Sequence, residues 1–172
     1  MEVRSGALMR GVAGLLKVLI ILNILGFILF VLILGAASFA EPTIVAALVE
    51  DSPGEDPART LLALRIVMVA AALMVPFAHL VLTRLRAIVA TVQAGDPFVA
   101  DNARRLTAIA WALLGIQIVD LIFGIVATWS GLEVISGWTL SLTGWLAVLL
   151  LFVLARVFEH GARMRDELAA TI

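Results

Sequence analysis

Cysteine is absent from the 172-residue chain, which excludes disulfides, thiolate metal sites and a cysteine nucleophile without placing the protein in any compartment. Tyrosine is absent as well, and histidine occurs only at His79 and His160. A lone histidine in each region is a poor start for a metal centre, so no metal and no cofactor are expected. The chain has no glycine-rich phosphate loop, nucleophile elbow, HExxH or paired-carboxylate motif, and an enzyme is not expected. Charge is scarce too: 15% of residues are charged and 63% are hydrophobic, outside the range of soluble domains. The solvent of this chain is mostly lipid.

What is abundant is long apolar runs. A bilayer core about 30 Å thick needs roughly 20 apolar residues per helix at 1.5 Å rise. Four stretches reach that length: residues 18–39, 61–82, 106–129 and 139–157. They lack the alternation of barrel strands, and backbone groups in lipid must pair internally, so helices are required. The expected fold is an all-α integral membrane four-helix bundle in one domain. The first run follows Arg4, Arg10 and Lys17 and resembles a signal peptide in outline, but its 22 residues are too long for a typical signal core. It reads as a retained span, with cleavage after Ala40 as the alternative.

The connections differ in kind. The stretch from Glu41 to Thr60 is acidic, and its prolines at 42, 53 and 57 rule out a continuous helix, leaving room for a short apolar turn over Thr43 to Val49. The loop 83–105 holds Gly95, Asp96 and Pro97, a helix stop followed by a restart, with Asp96 as N-cap and Pro97 at the first helical position. Ser130 to Trp138 reads as a tight turn. The tail 158–172 carries Met164, Leu168 and Ile172 at four-residue spacing beside charged residues, the pattern of an amphipathic helix.

Sorting charges by side gives the orientation. The N-terminus, middle loop and tail carry ten basic and six acidic residues, net +4, and the opposite side carries two basic and six acidic, net -4. The basic side is expected to be the cytoplasm of a bacterial inner membrane, with both termini inside. Trp129 and Trp138 then fall at the outer interface and Trp111 nearer the inner one.

Asp120 is the most informative single residue, because a carboxylate in mid-span must be paired, protonated or facing water. Gln117, Gly124 and Thr128 share its helix face. Arg65 on the second span lies about 7 Å away in depth, within reach of its long side chain, so an Arg65 to Asp120 ion pair is expected, extended by Gln117. This intramembrane cluster reads either as packing glue or as a proton or ligand site. Pro76 should loosen the second span one turn before His79. Asn23 reads as interhelical glue, and Ala108, Ala112 and Gly115 form a small-residue face suited to association, including a homodimer. On the basic side, Arg84, Arg86, Arg104, Arg105, Arg163 and Arg165 suit either anionic lipid headgroups or a cytoplasmic protein partner. Direct nucleic-acid binding is not expected.

The segment Gly95-Asp96-Pro97-Phe98-Val99, followed by Asn102, Ala103, Arg105, Leu106 and Trp111, resembles the centre of the bacterial domain-of-unknown-function 2975 family. Ala155 to Phe158, Gly161, Met164, Glu167, Leu168 and the closing Thr171-Ile172 resemble that family's C-terminal pattern. The resemblance covers most of the chain and implies a small four-helix membrane protein, often the membrane partner of a cytoplasmic helix-turn-helix regulator. It supplies no catalytic residues. The leading expectation is a non-enzymatic regulatory protein that holds or releases such a regulator through the middle loop and tail. The competing one is a small transporter, channel or sensing bundle built around Asp120, Gln117 and Arg65.

Overall fold

The computed structural model describes residues 2–51, 56–130 and 138–169. Five helices follow one another: α1 (Glu2–Phe39), α2 (Glu41–Asp51), α3 (Pro57–Gln93), α4 (Ala100–Ser130) and α5 (Leu142–Ala169). The described residues contain no strand. Four of these helices, α1, α3, α4 and α5, are long and apolar enough to cross a membrane, and the protein is a multi-pass helical membrane protein. Three of the four apolar runs sit inside longer helices. At 1.5 Å per residue the 38 residues of α1 extend about 57 Å, well beyond a core of about 30 Å.

The helix boundaries follow local chemistry. The break between α1 and α2 falls at Ala40, and Pro42 is tolerated because it sits in the first turn of α2, where its missing N–H would have no partner. The helix α2 therefore covers 11 residues, more than the short turn expected over Thr43 to Val49. At the start of α3, Asp56 caps the helix by accepting from the Ala58 N–H at 3.0 Å, with Pro57 following it. Further along, α3 runs through Pro76 without ending, although the Ala72 carbonyl loses its i+4 donor there.

The spans pack antiparallel in chain order, α1 on α3, α3 on α4 and α4 on α5. Both termini thus lie at one end of the molecule, where Gln93 donates to the Met9 carbonyl at 2.9 Å and Arg165 reaches Asp96. Helix α4 is central: a third of its apolar window is buried, against none of the window of α1, whose one buried side chain among those described is Leu16. Lipid supplies no hydrophobic drive between helices, so close backbone approach at small residues does the joining. Gly115 of α4 lies under the Phe77 ring of α3, where an added Cβ would come within 2.7 Å of ring carbon. The face of Ala108, Ala112 and Gly115, expected to suit association between copies, is thus used at least in part within the chain: Gly115 meets α3 and Ala112 is buried.

The fourth crossing departs from the expected continuous helix over 139–157. Trp138 to Ser141 are non-helical, and α5 begins level with Gln117, about 18 Å inward of Trp129. Trp138 lies over Gly124 rather than standing free at the interface, and the Gln117 amide packs on Gly144. Irregular backbone at this depth needs its polar groups paired, and Thr139 to Ser141 are exposed, so local hydrogen bonds carry that role. Here the Ser141 carbonyl accepts from Gly144, Trp145 and the Gln117 amide, while its hydroxyl accepts from the Gly144 N–H at 3.2 Å. The predicted tight turn before it, Gly131 to Gly137, lies outside the described residues.

Candidate functional site

The shared end of α3, α4 and α5 is built on the turn that ends α3. Gly95 adopts φ +83, its N–H donates to the Val92 carbonyl, and the Asp96 N–H donates to the Thr91 carbonyl. These two bonds form a Schellman cap, in which the first residue past the helix takes the left-handed conformation open to glycine. Nothing lies within 4 Å of a Cβ built on Gly95. Gly95→Ala should therefore cost only the backbone penalty, about 1 kcal/mol, measurable as a shift in detergent unfolding, and a neutral variant would contradict the cap. The Asp96 carboxylate is engaged by Arg165 and does not serve as the N-cap expected for the next helix, and α4 starts only at Ala100.

Asn102 is the hub beneath this turn and is fully buried. Its amide donates to Thr91 Oγ1 at 2.6 Å and to the Pro97 carbonyl at 2.8 Å, and its own oxygen accepts from Arg105 Nη1 at 2.8 Å. Arg105 Nη1 also reaches the Ala87 carbonyl at 3.2 Å, and the Thr91 hydroxyl donates to the Ile88 carbonyl at 2.7 Å. The tail closes the structure from the other side. Arg165 donates to the Asp96 carboxylate and to the Phe98 carbonyl at 3.3 Å, Phe98 meets Phe158 with ring centroids 5.3 Å apart, and Phe98 rests on Gly161.

The six arginines expected to form one partner-facing surface therefore divide. Arg105 and Arg165 point into the scaffold and hold it together. Arg104 pairs with Asp101, and Arg163 pairs with Glu159, which also receives Arg156 at 3.0 Å. Arg84 and Arg86 have no hydrogen-bonding or ionic partner among the described residues. Between the start of α4 and the end of α5 lies a slot of about 510 Å³ with a small-residue floor of Ala100, Ala103 and Ala162 and a charged rim of Arg104, Arg163, Glu159 and Asp166. Met164 of the expected amphipathic stripe is exposed, while the side chains of Leu168 and Ile172 lie outside the described residues.

The intramembrane cluster is not assembled as expected. Arg65 Nη2 lies 2.6 Å from Glu41 Oε1, so the partner of Arg65 is Glu41 and not Asp120. The reason is that a long cationic side chain near the end of a span gains more by reaching toward water than by going deeper, and Glu41, at the first position of α2 just past the end of α1, supplies a carboxylate there. Asp120 is half-buried and has no hydrogen bond or ion pair among the described residues. Gln117 joins α4 to Ser141 and Gly144 at the start of α5. At the same end as Glu41, the Arg59 guanidinium sits 4.7 Å from the centre of the Trp129 ring. His79 lies on α3 and His160 on α5, where its Nδ1 is 3.0 Å from the Arg156 carbonyl.

A family model described as "Protein of unknown function (DUF2975)" matches residues 43–172, from inside α2 to the end of the chain. The chain belongs to the DUF2975 family. Helix α1, the peripheral span, lies outside the matched stretch. No curated protein and no solved structure matches. Several residues that carried the resemblance meet at the shared end: Asn102 bonds the Pro97 carbonyl and Arg105, Arg165 holds Asp96 and the Phe98 carbonyl, and Phe98 packs on Phe158 and Gly161. What sequence reasoning missed was Asn102 as the buried hub; the signal was its place in that segment.

Proposed function

We propose that this protein is a non-enzymatic inner-membrane regulator that captures a cytoplasmic helix-turn-helix transcription factor, with both termini and the α3–α4 connection on the cytoplasmic side. The observation that carries the reading is the slot between α4 and α5. Its alanine floor admits a close-packed helix, its rim offers charges of both signs for register, and the Asn102 and Arg165 contacts hold its walls in place. The orientation rests on the net +4 of this end, and the class of partner rests on the family resemblance.

The test uses the rim residues that the scaffold does not need. Tagged wild type and the Arg104→Glu/Arg163→Glu variant would be recovered from native membranes in mild detergent, with mass spectrometry of what co-purifies. The expected result is a small DNA-binding protein with the wild type and at least a ten-fold loss with the variant, since reversed rim charges face like charge on the partner. Equal recovery by both, or no such protein from cells that express it, would reject the reading.

A second reading, a ligand or proton site inside the membrane, is favoured by one observation. Asp120 has no partner among the described residues on the helix that carries Gln117, and α5 starts at that depth behind non-helical chain, an arrangement used in transporters.

A further inference from the structure

Between α1 and α3, on the flank away from the slot, lies a groove of about 560 Å³ open to the side of the molecule. Ile24, Phe27, Val75 and Leu80 make most of its wall apolar, and Pro76, in the first half of the groove, leaves the α3 surface without an N–H at that turn. Its polar residues collect toward the end shared by the chain termini. Asn23, His79, Thr83 and Arg84 lie there, and Arg84 is exposed with no hydrogen-bonding or ionic partner among the described residues. Lys17 of α1 belongs to the same end. At 1.5 Å per residue, Val75 and Arg84 are about 13 Å apart along α3, a run that takes much of an acyl chain and ends at a cation.

The geometry points to a binding site for one anionic phospholipid, its acyl chain in the apolar part of the groove and its phosphate on Arg84, with His79 and Asn23 able to hydrogen-bond the glycerol and ester region. The charge argument selects this occupant. A second apolar helix would leave the Arg84 guanidinium uncompensated at the membrane boundary, whereas a headgroup phosphate supplies both the charge and the oxygen acceptors for its N–H fork. In the orientation proposed above, on which this step rests, the basic end of the protein faces the leaflet whose surface is anionic. The site is independent of the slot between α4 and α5 and of what binds there.

Native mass spectrometry of the full-length protein in mild detergent tests this, with an equal mixture of phosphatidylglycerol and phosphatidylcholine added and retained lipids counted. Wild type should keep phosphatidylglycerol in preference to phosphatidylcholine. Arg84→Ala should weaken that retention about five-fold, the effect of one cation near the surface. Arg86→Ala, two residues on and outside the groove, should leave it unchanged, and Val75→Trp should expel the lipid with Arg84 still present. Circular dichroism checks each variant, and if Val75→Trp does not fold, the comparison of Arg84 with Arg86 decides. Equal retention of the two lipids by wild type, or equal losses in Arg84→Ala and Arg86→Ala, would overturn the site in favour of diffuse attraction to basic charge.

Discussion

Replacing Asn102 with Leu should destabilise the protein by about 3 kcal/mol, because the substitution keeps the volume and removes one hydrogen bond from each of three half-buried groups at once. The Pro97 carbonyl loses its donor from Asn102 Nδ2, Thr91 Oγ1 loses another, and Arg105 loses the acceptor that turns it inward. The check is reversible unfolding in mixed detergent and denaturing surfactant, followed by helical signal. A change below about 0.5 kcal/mol, the range of an ordinary surface substitution, would mean that the hub contributes nothing to stability. The same variant links stability to function. If the α3–α4 connection and the tail form the wall of a docking slot, Asn102→Leu should lose the co-purifying partner even though it alters no rim residue.

Gly124→Val should cost about 2 kcal/mol or more, through overpacking. A single Cβ at Gly124 would overlap the Trp138 indole, closer than carbon atoms approach, and the valine methyls add to that. The indole must move, and with it the non-helical chain from Trp138 to Ser141 that lets α5 begin inside the membrane. The indole nitrogen is also buried with no hydrogen-bond partner among the described residues, so packing holds the ring there. Adding Trp138→Ala to Gly124→Val should recover part of the loss in the same unfolding assay. If the double variant is as destabilised as the sum of the two singles, the two residues do not share the contact.

Two Asp-Pro pairs show where sequence reading reaches and where it stops. Both Asp56-Pro57 and Asp96-Pro97 carry the signature of a helix start. Asp56 uses its carboxylate to cap α3, as the signature implies. At the second pair the preceding Gly95 has ended α3 in a Schellman cap, Asp96 is committed to that cap and to Arg165, and α4 waits until Ala100. The deciding partner lies 69 residues away in the chain, and no local rule contains it. The Arg65 prediction met the same limit. Depth along two spans admitted Asp120 as partner, but the junction of α1 and α2 places Glu41 at 2.6 Å. The basic cluster shows it again, since equal charge in sequence became scaffold at Arg105 and Arg165, slot rim at Arg104 and Arg163, and groove end at Arg84.

By itself the sequence determined the solvent, the number of crossings, the polarity of charge and the absence of recognisable catalytic motifs. These properties are set by runs of about 20 residues, because lipid rewards apolar length and forbids unpaired backbone wherever the chain goes. Only the tertiary structure decided which polar group meets which, that α4 lies at the centre and α1 at the edge, and that α5 starts deep beside Gln117. In lipid, helices are apolar on all sides and hydropathy no longer distinguishes an inward face from an outward one. The packing order then depends on where single glycines admit a ring or an amide, as at Gly115, Gly124 and Gly144, and those pairings join residues far apart in the chain.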